Sequence, residues 1–235
     1  MKNEKERLNA MFQEKKISEA DYKLLSTALT KKTSPINATF SLLMNPFQKI
    51  AGLPALILGL IVILAMSYLG TIAKVFFPGV LNLVNSSSVV SHKIPFSFLL
   101  LSYQNLVSWL AVTIIFLITA RIWQQKRIRI IDFFGTVALS RFPFLILIIL
   151  LSIVQLIHPS TLARDASKGW YPLHPTLMMG IVHFAVDLCA IWQVTTYFSA
   201  LKESSGLSGK KLWLSFIAAM IAAEAITAPL SMIFF

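Results

Sequence analysis

Four ionisable side chains fall inside long apolar runs of the sequence: Arg141, His183, Asp187 and Glu224. His183 and Asp187 are four residues apart, which puts them on one helix face within hydrogen-bonding reach. A charge near the centre of a bilayer is costly unless it is paired or has a route to water. The simplest chemistry for the set is therefore a structural ion pair between Arg141 and either Asp187 or Glu224. Two other readings use the same residues. Arg141 can snorkel to anionic lipid headgroups, or Glu224, Asp187 and His183 can form a proton or ion relay. A second set, His92, His158 and His174, falls in or beside connections on the opposite side, where grouped imidazoles could take zinc or copper. Its spacing matches no metal motif, so scattered loop histidines are expected, with no metal and no cofactor.

The usual signatures of soluble enzymes are missing. There is no phosphate-cradling glycine loop, no His-Glu-x-x-His, no nucleophile elbow and no Cys-x-x-Cys. The one cysteine, Cys189, lies in an apolar run and reads as a small packing residue. A protein without enzymatic chemistry is expected. Gln104, Asn105, Gln155 and Gln193 fall inside the apolar runs and read as hydrogen-bonding groups between helices.

These residues need elements to hold them, and the composition says which kind. Of 235 residues, 56% are hydrophobic and 13% charged, with a mean hydropathy of +0.72. Five apolar segments, about 54–73, 97–120, 133–157, 177–200 and 212–235, reach the ~20 residues a helix needs to cross ~30 Å of hydrocarbon. No ten-residue alternating segments support a β-barrel. The expected fold is all-α, a polytopic membrane bundle of five transmembrane helices. Lys74 and Phe76-Phe77-Pro78 mark the exit of the first span, and 78–93 reads as a flexible polar turn. In the fifth span the alanines at 218, 219, 222, 223, 225 and 228 permit close helix approach. Pro229 is expected to bend its outer end.

Loop charge sets the orientation. Sixteen lysines and arginines lie in the N-terminal region and in the connections after the second and fourth spans, against four in the other two loops. That asymmetry predicts a cytoplasmic N-terminus and, after five crossings, an outside C-terminus. On the same argument Arg141 lies about 12 Å from the cytoplasmic end of its span, Glu224 about 18 Å and Asp187 about 20 Å. The net charge of +11 is dispersed through these loops rather than pooled in a stripe, so no nucleic-acid partner is expected. The expected partners are the lipid bilayer and its anionic headgroups, and a homo-oligomer is compatible with so small a bundle.

Residues 1–32 read as a cytoplasmic helical hairpin and 33–53 as an interfacial lead-in containing Asn45-Pro46-Phe47. Leu8, Met11 and Phe12 share one helix face, Ser18-Glu-Ala-Asp21 is a capping arrangement, and Tyr22, Leu25 and Leu29 share the next face. The stretch Leu8–Leu25 is similar to the bacterial SHOCT-like short helical module. That resemblance implies a docking element for a cytoplasmic protein partner; the alternative is an amphipathic hairpin lying on the bilayer.

The run Asp132-Phe-Phe-Gly-Thr-Val-Ala-Leu-Ser-Arg-Phe-Pro-Phe-Leu145 puts a glycine, an arginine and a proline inside the third span. Proline removes a backbone donor and kinks a helix. With the Asn45-Pro-Phe lead-in and the five-span topology, the motif residues Gly135, Thr136, Ser140, Arg141 and Pro143 resemble the bacterial branch of the Yip family, relatives of the Ypt/Rab-interacting proteins. The resemblance covers about residues 40–235. It implies a five-helix bundle in the bacterial inner membrane, no catalysis, and a role in organising membranes or recruiting partners. The Asp-Leu-Tyr-x-Pro lead-in of many eukaryotic members is absent, so binding of Rab-type GTPases is not implied. A small permease or ion-coupled transporter using the intramembrane charges is the alternative function.

Overall fold

Long runs of leucine, isoleucine, valine and phenylalanine, interrupted by few glycines and prolines, leave the backbone one economical choice in an apolar medium. Every N–H and C=O must bond within its own segment, and the α-helix does this. A computed structural model describes residues 2–14, 17–19, 21–22, 25–26, 41–81, 84–85, 97–123, 128–157, 177–231 and 233. The described residues are nearly all helical, and five helical segments are long and apolar enough to cross a membrane: Gly52–Ala73, Phe98–Ile122, Ile130–Ile157, Gly180–Ser205 and Gly209–Ser231.

The chain divides into two compact units, Met1–Leu43 and Met44–Phe235. In the first unit, helix α1 spans Lys2–Gln13. Asn9 Oδ1 accepts a hydrogen bond from the Tyr22 hydroxyl at 2.7 Å, and Phe12 stacks on Tyr22 with centroids 4.4 Å apart. Ser18 Oγ accepts from the Asp21 N–H at 3.1 Å and donates to the Asp21 carboxylate, a local cap for the turn that leads into Tyr22.

The second unit holds helices α2 (Gly52–Ala73), α3 (Phe98–Ile122), α4 (Ile130–Leu139), α5 (Phe142–Ile157), α6 (Leu177–Ser205) and α7 (Gly209–Ser231). Its lead-in is a single 3-10 turn, Pro46–Gln48, with Pro46 and Phe47 buried. Asn45 donates to Glu203 Oε1 at 2.8 Å, and Ser199 donates to the Met44 carbonyl at 3.3 Å, so the lead-in is tied to the last turns of α6.

Helix α2 packs most extensively on α4, and the reason lies in two glycines. Gly135 sits so close to the start of α2 that a Cβ there would stand 2.6 Å from the Gly52 carbonyl oxygen and 2.8 Å from Leu56 N. Gly59 meets the end of α4 equally tightly, with a Cβ falling 2.6 Å from Leu139 N and onto the Ala138 methyl. Small residues are what allow helices to approach this closely where water provides no drive to associate.

Two features depart from the expected plan. The third span is not one kinked helix but two helices, α4 and α5, broken at Ser140–Arg141. Pro143 in the first turn of α5 has no N–H to offer Leu139, and its ring crowds the Leu139 carbonyl, which disturbs the helix at that point. The exit of the first span also differs. Lys74 ends α2 in the left-handed conformation (φ 53°) and turns the chain back into the protein. Residues 75–80 are then all buried, so the first residues of the polar turn expected over 78–93 lie inside the protein, and most of the rest of that turn lies outside the described residues. Val75–Phe76 (β1) pairs antiparallel with Val84–Asn85 (β2). The fifth span ends as a helix at Ser231, with Pro229 inside its last turn.

Candidate functional site

The break in the third span frees backbone groups at membrane depth, which a side chain of α6 and the start of α5 take up. Thr196 of α6 donates to the Ser140 carbonyl at 2.8 Å, and the Arg141 carbonyl accepts from the N–H groups of Phe144 and Leu145. Helix α4 is held besides by Thr136, whose hydroxyl meets Ser204 Oγ at 2.8 Å, and by Trp109 Nε1, which donates to the Phe134 carbonyl at 3.0 Å.

Arg141 is completely buried. Its Nη2 donates to Asn105 Oδ1 at 2.8 Å. Asn105 is fixed in turn by donating to Ser67 Oγ at 3.1 Å and to the Leu101 carbonyl at 3.0 Å. Arg141 is thus tied to α3 by a neutral amide, while its Nε and Nη1 are buried without a hydrogen-bond partner among the described residues. Beside it stand Gln193 and Tyr197 of α6, one helical turn apart and both fully buried. The Tyr197 hydroxyl stands near both Gln193 and Arg141, yet neither it nor the two polar atoms of the Gln193 amide form a well-aligned hydrogen bond there. Glu224 of α7 lies within electrostatic reach of Tyr197.

Glu224 has its own anchor. Its Oε2 accepts the Val80 N–H at 2.8 Å, and Gly79 lies so close to the carboxylate that a Cβ there would collide with it. Three more side chains hold the same buried segment. Gln104 Oε1 accepts from Phe77 N at 3.0 Å while its Nε2 donates to the Ser231 carbonyl at 3.2 Å. Ser108 donates to the Gly79 carbonyl at 3.2 Å, and Ser231 donates to the Pro78 carbonyl. Irregular backbone at membrane depth is tolerated where protein covers it and supplies its bonds, and α3 and α7 supply them here.

Of the four ionisable residues singled out in the spans, the structure brings Arg141 and Glu224 to the same interior, with Tyr197 between their fields. Arg141 forms its hydrogen bond with Asn105 rather than with an acid. Asp187 is exposed on the outer face of α6, away from this interior. The side chain of His183 and the whole of His92, His158 and His174 lie outside the described residues. Of the motif residues, Gly135 makes the α2–α4 crossing, Thr136 and Ser140 bond to α6, Arg141 lies at the break and Pro143 opens α5.

Among the polar residues in the spans, Gln104 and Asn105 bond across helices, as their types suggest. Tyr197 and Ser231 carry weaker signals. Tyr197 lies one turn beyond Gln193, a polar pair on one face of an apolar helix. Ser231 looks like an ordinary residue near the end of the sequence. Comparison with known protein families, with curated proteins and with solved structures finds no match to this chain.

What the interior can do follows from its inventory. Among the described residues it holds one buried cation, five polar atoms that lack partners and a carboxylate within electrostatic reach. Such a site can fix helices, or hold a polar guest or a proton.

Proposed function

We propose that the protein is a Yip-like, non-enzymatic scaffold of the bacterial inner membrane, organising the membrane or recruiting partners through residues 1–32 and its basic loops. One observation carries this reading. The residues of the Gly-Thr…Ser-Arg-x-Pro motif serve architecture: a helix crossing, two bonds to α6, a buried arginine and a helix start. Their positions support a role in holding the bundle rather than in turning over a substrate. The loop charges support a cytoplasmic N-terminus. Asp187, facing out of the bundle within a span, is compatible with a helix contact between copies.

Proximity crosslinking in native membranes tests the scaffold reading, comparing the full chain with one lacking residues 1–32. The scaffold reading expects a defined set of neighbours that is lost on truncation. An unchanged set removes residues 1–32 as the recruiting element.

A second reading, a small permease or ion-coupled transporter, is favoured by the unpartnered atoms of Arg141, Gln193 and Tyr197. Flux into proteoliposomes that is abolished by Gln193→Leu or Tyr197→Phe, at unchanged thermal stability, would establish it. Raised stability without any flux favours the scaffold.

A further inference from the structure

Outside the polar interior, a concave surface of the spans carries a charge. It is a groove of about 580 Å³ lined by Ile114, Leu117, Ile118, Arg121, Ile122 and Ile130, between the last turns of α3 and the first residue of α4. Ile114, Ile118, Ile122 and Ile130 are each about half exposed or more, so the groove opens on the outer surface of the bundle. From Ile114 to Arg121 it runs about 10 Å along the helix axis. Arg121 sits at its end and is the only charged residue in the lining among the described residues.

The level of that end is marked independently. Trp123, the residue that closes α3, donates its indole N–H to Ser215 at 2.6 Å and carries the Lys211 ammonium 5.0 Å from its ring centroid. A tryptophan, an arginine and a lysine at one level are the composition of a membrane–water interface.

We infer that this groove is a binding site for an anionic glycerophospholipid, an acyl chain lying along Ile114, Ile118 and Ile130 and the phosphate on Arg121. Apolar walls ending in a single cation at interface height match an acyl chain joined to an anionic headgroup. A second helix packed here would have to bring an acid to the guanidinium at this level, which a lipid phosphate supplies of itself, and a zwitterionic lipid would offset the charge of its own phosphate. Arg129, by contrast, lies outside the groove, highly exposed and 3.6 Å from Asp132, and serves as a control.

The inference rests on the membrane reading above, but not on which side the connection faces, because the test places lipid in both leaflets. The full chain is reconstituted into bilayers of equal parts phosphatidylglycerol and phosphatidylcholine with identical acyl chains. It is then released and weighed by native mass spectrometry. Phosphatidylglycerol should be retained with about a five-fold preference, the attraction of one basic residue to an anionic surface. Arg121→Gln should abolish the preference, Arg121→Lys should keep part of it, and Arg129→Gln should leave it unchanged. Ile118→Trp, which fills the groove, should reduce retention of both lipids. Excess glycerol phosphate should not compete, which separates a lipid site from a phosphate site. Equal retention of the two lipids, a preference that survives Arg121→Gln, or competition by glycerol phosphate each overturns the proposal. Loss of the five-span insertion itself would show as failure to reconstitute and would count against the membrane reading instead.

Discussion

Adding one methyl group at Gly135 tests the close crossing of α2 and α4. In Gly135→Ala the new Cβ would stand 2.6 Å from the Gly52 carbonyl oxygen, 2.8 Å from Leu56 N and 3.0 Å from the Ala55 methyl. Two of these are backbone atoms, so no side-chain rotation relieves them. Ordinary contact requires α2 and α4 to separate by about 1 Å. Overpacking of a close-packed interior costs about 1–3 kcal/mol, against which alanine gains about 0.5–1 kcal/mol over glycine in a helix. The net expectation is a loss of about 1–2 kcal/mol, or roughly 2–8 °C in the thermal midpoint of a chain this size. Unfolding of the purified protein in detergent, followed by tryptophan fluorescence, reads it. The internal control is Gly180→Ala in α6, where a Cβ meets nothing within 4 Å. Without a clash, only the helix gain of about 0.5–1 kcal/mol remains, so that midpoint should rise. Gly59→Ala, whose Cβ falls 2.6 Å from Leu139 N, strains the same crossing. The double substitution should therefore cost less than the sum of the two, because helices already pushed apart by one methyl accommodate the second. A Gly135→Ala protein at least as stable as the parent would refute the close crossing, and strict additivity would show that the two glycines do not share it.

Three further outcomes concern the polar and charged residues of the spans. Asn105→Leu removes the hydrogen-bond partner of Arg141 and should cost about 1–3 kcal/mol, while Arg141→Met added to it should restore much of the loss; a double variant no better than the single one would break the link, again by thermal unfolding. Glu224→Gln weakens the charge-assisted bond to Val80 and should speed exchange of that amide about 10- to 100-fold by hydrogen–deuterium exchange, with the Phe77 amide on Gln104 little changed. Asp187→Asn, on the outward face of α6, should shift stability by no more than about 0.5 kcal/mol, and a loss of several kcal/mol would show that Asp187 has a partner inside the protein.

The spans were legible because their signal is additive: some twenty apolar residues sum to a preference for hydrocarbon that no single side chain can reverse. The helix ends agree with expectation to within a few residues for the first two spans, where Pro54 and Arg121 bracket the apolar runs. The broken third span was half visible. Pro143 announces a disturbance, but whether it bends the helix or divides it depends on whether Thr196, on another span, is placed to bond the freed Ser140 carbonyl. The buried 75–80 segment was not visible. Phe76-Phe77-Pro78 has the composition of an interfacial exit, and what draws it inward is the set Gln104, Ser108, Glu224 and Ser231, which lie 27 to 153 residues away from their loop partners. An acid partner for Arg141 is what charge alone favours, yet a rigid Asn105 offers a well-placed oxygen, and depth along a helix says nothing of the direction a residue faces.

The break and the buried segment are two cases of one solution. In each, backbone that cannot be helical is held at depth by side chains from spans distant in sequence, so neither feature is complete until α6 and α7 are in place. Polar groups of α3 wait on both sides of this arrangement, since adjacent residues Gln104 and Asn105 point one to the buried segment and the other to Arg141. The two sites are consequently coupled through one turn of α3, and a displacement of α3 must loosen both or neither. Exchange at the Val80 and Phe77 amides should then respond to Asn105→Leu even though Asn105 touches neither. A change there of several-fold, with α1 unaffected, is the expected signature of a single interlocked interior. Unchanged exchange in the segment would mean that the broken helix and the segment stabilise the bundle independently.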